Sequence, residues 1–149
     1  MSRTAITLCL FGALLLGVSA LGPPLADADS TPFQIVVHPD NPYRHLERDY
    51  VRDLFLKRIT RWPDGEVALP VDLSAKSSVR GAFAQAILHK PLTAVRMYWQ
   101  QVVFSGRGVP PPELETDEAI IRYVVQRRGA IGYITASSQP GEARIVSLK

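Results

Sequence analysis

The chain has 149 residues, 46% hydrophobic and 21% charged, with 17 Lys and Arg against 14 Asp and Glu for a net charge of +3. That length suits one domain, and the composition excludes wholesale disorder, collagen-like repeats and a disulfide scaffold. A charge so small and so scattered is not that of a nucleic-acid binder.

The N-terminus opens Met1-Ser2-Arg3-Thr4, runs uncharged from Ala5 to Leu21, and continues through Gly22-Pro23-Pro24 to Ala26-Asp27-Ala28. A positive start, an apolar run and a small-x-small site are the parts of a secretory signal peptide. The expectation is therefore a cleavable leader over residues 1–28, cut after Ala28, and a periplasmic domain over residues 29–149. The alternative is an N-terminal membrane anchor, because the apolar run is at the short end of what spans a bilayer. Gly12, Gly17 and the proline pair favour cleavage. Cys9 is the only cysteine and lies inside the apolar run, before the place where a lipid-bearing cysteine would stand. The exported domain must rely on its core alone.

Phe33–His38 is rich in β-branched residues and predicts a buried strand, ended by Pro39-Asp40-Asn41-Pro42. From Leu46 to Leu56 the apolar residues share a helical face. Arg61–Gly65 is a turn, and Val67–Val71 a second strand whose Pro70 marks an edge or an end. Ser74–Ser78 leads into a helix over Val79–Leu88. Pro91 opens the next helix, with Thr93 as its N-cap. Gly106, Gly108 and Pro110-Pro111-Pro112 make Ser105–Pro112 a loop. Thr116 caps a fourth helix with Asp117 and Glu118 in its first turn, and Gly129 is placed to end it at the C′ position. Ala130–Ile134 and Arg144–Leu148 are the last strands. The order β-α-β-α-α-α-β-β is an α/β layer architecture.

Chemistry is sparse. His38, His45 and His89 share no metal-ligand spacing, and no nucleophile or zinc motif is present, so neither an enzyme nor a cofactor is read here. Glu113, Glu115, Asp117 and Glu118 read as a solvated helix start. Trp62, Tyr98 and Trp99 read as core, and Gly132 as a site of close backbone packing. The one local signal with a mechanism is Ser74-Ala75-Lys76-Ser77-Ser78-Val79-Arg80. Hydroxyls and cations stand where a helix begins, and free N–H groups there accept an anion. A serine at that position also serves simply as an N-cap.

Several segments resemble one family. Phe55-Leu56-Lys57-Arg58-Ile59-Thr60-Arg61-Trp62 is similar to the Ile-Phe-Leu-Gly-Lys-Ile-Thr-x-Trp segment of phosphate-binding proteins of ABC transporters. Val79–Leu88 resembles the helix after that family's Ser-Gly-Thr phosphate loop. Tyr98-Trp99 with Phe104-Ser105-Gly106-Arg107-Gly108 resembles its Tyr-Trp…Phe-x-Gly-x-Gly stretch, and Gly129-Ala130-Ile131-Gly132-Tyr133 its Pro-Gly-Ala-Ile-Gly-Tyr strand. The resemblance covers most of residues 33–135 and implies a type II periplasmic-binding-protein fold: a single compact α/β lobe, a small mixed sheet flanked by helices.

The departures are specific. Ser77-Ser78-Val79 replaces Ser-Gly-Thr, and Leu73 stands where the family has its phosphate-clamping arginine. The family's N-terminal Gly/Ser loop is absent, and its members are more than twice as long, so what remains resembles the second lobe. The resemblance implies inorganic phosphate or a similar oxyanion as ligand, with Ser77, Ser78 and Arg80 as its carriers and Asn41 as a weaker candidate. An ABC transporter permease, another periplasmic or membrane protein, or a second copy of the chain is the expected macromolecular partner. The competing expectation is a degenerate lobe that keeps the fold and serves as an interaction module, with Ser105–Pro112 as its contact surface.

Overall fold

The computed structural model describes residues 31–149; the expected leader and Cys9 lie outside them. Phe33–Val37 forms β1, His45–Leu46 β2, Arg48–Phe55 α1, Leu69–Pro70 β3 and Asp72–Leu73 β4. Ser78–Phe83 is α2, which continues as a π-helical turn over Ala84–Leu88. Leu92–Phe104 is α3, Glu113–Leu114 β5, Asp117–Val125 α4, Ala130–Thr135 β6 and Arg144–Leu148 β7. Among the described residues no helix is long and apolar enough to cross a membrane.

The main sheet has the order β2-β7-β1-β6-β3. Strand β1 lies antiparallel to both β6 and β7, with Ile35 opposite Tyr133 and Val146. The outer pairs β2–β7 and β3–β6 are parallel. After Val71 the chain leaves this sheet, and β4 pairs in parallel with β5 as a separate two-stranded ribbon.

Alternation along β6 divides the core. Phe33, Ile35, Ile131 and Tyr133 share one face. There Tyr133 stacks on Phe83 with centroids 3.9 Å apart, and Phe55 packs on Phe83 at 4.7 Å. On the other face lie Val36 and Gly132, covered by Ile120 and Val124 of α4. A Cβ at Gly132 would stand 2.7 Å from Ile120 Cγ2 and 3.0 Å from Val71 Cγ1, so glycine admits the helix to the strand. The all-buried run from Ala130 to Ile134 is what a strand covered on both faces requires.

Several expectations change in detail. Leu46 belongs to β2, and α1 starts two residues later. The strand expected over Val67–Val71 narrows to Leu69–Pro70, at the sheet edge that Pro70 implied. Thr93 is not the cap of α3: the helix begins at Leu92 directly after Pro91, whose ring fixes φ at −66° for the entry. Gly129 is not the C′ residue of α4, which ends at Val125 with Gln126 as its cap. Gly129 is instead glycine because a Cβ there would lie 1.8 Å from the Val67 carbonyl oxygen. Thr116 does cap α4, accepting from the Ala119 amide at 3.2 Å. Trp62 and Trp99 are buried, and Trp62 donates its indole N–H to Gly129 O at 2.9 Å.

Candidate functional site

The Ser74–Arg80 turn begins where β4 ends. Its backbone is fixed from both sides: the Asp72 amide donates to Pro112 O and the Ser74 amide to Leu114 O, at 2.9 and 2.8 Å. Ser74 O then accepts from the Ser77 amide at 2.9 Å, and Ser77, at φ −75° and ψ 127°, hands the chain to α2. No side chain caps α2. Among the described residues the Ser77 and Ser78 hydroxyls make no protein hydrogen bond, and Lys76 beside them is exposed. The simple N-cap role expected as an alternative for these serines is thus not the one they take.

Arg80 is buried, with its guanidinium between two carboxylates. Nη2 lies 3.2 Å from Asp72 Oδ2 and Nη1 lies 2.7 Å from Glu113 Oε1. The second contact is close but poorly directed: Nη1 has no hydrogen bond of proper geometry and no exposure to water. Tyr133, its hydroxyl buried beneath the turn, donates to Asp72 Oδ1 and accepts from the Leu73 amide at 3.4 Å. Burial pushes the Asp72 carboxyl above its ordinary range and the charge of Glu113 adds to this, while Arg80 and Tyr133 pull it back. Burial, and then the negative charge of Asp72, push the Tyr133 hydroxyl up as well.

These contacts correct the reading of the acidic cluster before α4. Glu113 is the partner of Arg80. Asp117 accepts from the Thr135 amide at 3.1 Å and from Ser138 Oγ at 2.6 Å, which ties α4 to the end of β6. Asp72 and Tyr133 were missed as site residues. Neither carries a motif, and Glu113 meets Arg80 only because β4 and β5 pair.

Ser77 and Ser78 stand at the start of α2, Arg80 follows in its first turn with its guanidinium held by Asp72 and Glu113, and Asn41 lies elsewhere. Asn41 follows β1 at the Val37 end, where its Oδ1 accepts from the Tyr43 amide and its carbonyl from Arg144. Residues 74–78 follow β4, past Tyr133 and toward the opposite, Phe33 end of β1. Asn41 is a turn residue whose side chain fixes the amide of Tyr43, and the Tyr43 ring stacks on Trp62. Among the described residues no group of His, Cys, Asp and Glu is arranged to hold a metal ion.

No family model matches the chain, and no curated protein matches it. Solved structures do. A protein assigned as a phosphate ABC transporter substrate-binding protein from Clostridium perfringens, with bound phosphate, superposes with a TM-score of 0.62 at 21% identity. That match covers 78% of this chain and 44% of the other. An ABC-type phosphate transport receptor from Vibrio cholerae gives 0.62 at 18% identity, over 78% and 46% of the two chains. PstS from Borrelia burgdorferi gives 0.59 at 10% identity, over 79% and 47%. This chain therefore spans less than half the length of these proteins, and over that span it has their fold: a single α/β lobe of the periplasmic-binding-protein kind.

Proposed function

We propose that the chain is an exported, non-catalytic substrate-binding-like lobe that takes phosphate or a similar oxyanion at the Ser74–Arg80 turn. Its setting would be the periplasm, in connection with ABC-type phosphate transport or sensing and with a permease as partner. The observation that supports this best is the pair of unengaged hydroxyls at Ser77 and Ser78, on a lobe whose fold is shared with phosphate receptors. Hydroxyls, the Lys76 ammonium and the free N–H groups at the start of α2 are the donors an oxyanion uses. Arg80 joins them when Glu113, whose side chain is 48% exposed, gives way to the ligand.

One lobe encloses an anion on one side only, and water screens the other. The expected affinity is a Kd of about 1 mM, or about −4 kcal/mol. Calorimetric titration of the folded chain with phosphate, sulfate and an organic acid at low ionic strength tests the reading. It expects a saturable phosphate heat that disappears in the Ser77→Ala/Ser78→Ala double variant while the unfolding midpoint stays put. No heat with any oxyanion overturns it.

A second reading has its own observation. Met97 in the middle of α3, Val103 and Phe104 at its end and Val109 in the loop after it are exposed apolar residues, with Phe104 89% exposed. A lobe without ligand would use this surface on another protein or on a second copy of itself. Silent titrations, together with concentration-dependent association in the ultracentrifuge that Phe104→Ser removes, would favour it.

A further inference from the structure

Two of the segments that resemble the phosphate-receptor motifs meet at a hollow which none of Ser74–Arg80 lines. Leu56, Lys57 and Thr60 come from the turn that follows α1; Tyr98, Trp99 and Val102 come from α3; Arg107, Gly108 and Val109 come from the loop after it. The hollow measures about 410 Å³, within the range of small-molecule sites, roughly 300–1,000 Å³. Its walls are mostly apolar and aromatic. Its two charged residues are both cations, and among the described residues neither has a carboxylate partner. Arg107 makes one side-chain bond, Nε to Ser105 Oγ at 2.8 Å, which leaves its terminal nitrogens free.

Lys57 is the informative residue. It stands just past the cap of α1 at φ +51°, where its amide donates to Leu54 O and the Arg58 amide donates to Asp53 O. This is the left-handed helix-ending position at which glycine is cheapest. Glycine is also the residue at this place in the Ile-Phe-Leu-Gly-Lys-Ile-Thr-x-Trp motif that the segment resembles. Here a lysine bears the backbone strain, and burial pushes its ammonium down. A side chain kept at the cost of strain and desolvation has use for its charge.

We propose that this hollow binds an organic anion: the apolar body lies against Tyr98, Val102 and Val109, and the charged end is held by Lys57 and Arg107. Inorganic phosphate would leave most of such a volume empty, so the site goes beyond the reading given for the Ser77 turn and does not depend on it.

The test titrates the full chain with 2-naphthoate, and with the neutral 2-naphthol and inorganic phosphate as comparisons. Saturable 2-naphthoate binding below about 1 mM is expected, with 2-naphthol at least about ten-fold weaker. Lys57→Met and Arg107→Gln should each weaken 2-naphthoate by about five-fold or more. Lys57→Gly should raise the melting temperature and weaken binding together, which a purely structural lysine would not do. A Cβ at Gly108 meets only Val102 Cγ1, at 3.8 Å, so Gly108→Leu fills the hollow and should abolish binding in a folded protein. Equal binding of 2-naphthol, no 2-naphthoate binding, or unchanged affinity in Lys57→Met and Arg107→Gln would each overturn the proposal. None of these results bears on inorganic phosphate at Ser77.

Discussion

Arg80 sits between two carboxylates from either side of the α3 excursion, Asp72 before it and Glu113 after it. Replacing it by alanine removes the cation that neutralises buried Asp72 and leaves that acid facing the half-exposed Glu113. Arg80→Ala should therefore cost about 3–5 kcal/mol, read from urea unfolding at neutral pH. The loss should shrink in acid, where Asp72 can take up a proton. Asp72 gives a pH signature of its own. Burial raises its folded pKa above the unfolded value of about 4. Between those two values the folded state holds a proton that the unfolded chain has released. The stability this group contributes is thus present in acid and declines as pH rises through the window. Unfolding free energies measured upward from pH 4 should show that decline, and Asp72→Asn should flatten it. Little of this was legible in the sequence. Ser77, Ser78 and Arg80 stand together as a motif, but the partners of Arg80 lie 8 residues before and 33 after it, and no periodicity connects them.

At the scale of elements, the long periodic segments were legible and the short pairings were not. The apolar face of α1, the buried run of β6 and the Thr116 cap all follow from residue pattern. Strands of two residues, β2 and β5, contain no alternation to read; they exist because β7 and β4 offer them free edges. The two glycines flanking Ala130 and Ile131 separate the kinds of contact that glycine permits. At Gly132 a methyl group would press on side-chain carbons of Ile120 and Val71, which can shift. At Gly129 it would meet the Val67 carbonyl, which is held by the chain. Gly132→Ala should cost about 1–3 kcal/mol, and Gly129→Ala more than that, measured as unfolding midpoints side by side. An equal loss at both positions would mean that the Val67 segment moves as easily as a side chain.

The molecule as a whole is a lobe whose two candidate sites share no lining residue, one after β4 and the other between α3 and the turn that follows α1. What unites them is the sheet, and the sheet has an unusual dependence on its far end. Strand β1 runs through the middle, yet both of its partners lie in the C-terminal segment from Ala130 to Leu148. Deleting residues 144–149 should leave β1 with one neighbour and β2 with none, and abolish the cooperative thermal transition seen by near-UV circular dichroism. The same connectivity has a temporal side. A chain that emerges N-terminus first, from a ribosome or through a membrane pore, carries Phe33–Val37 unpaired until β6 and β7 arrive. Helical turns can come and go in that interval, but the middle of the molecule has nothing to close on. The polypeptide stays threadable for as long as its last strands are held back, and it becomes a folded object only once they are released.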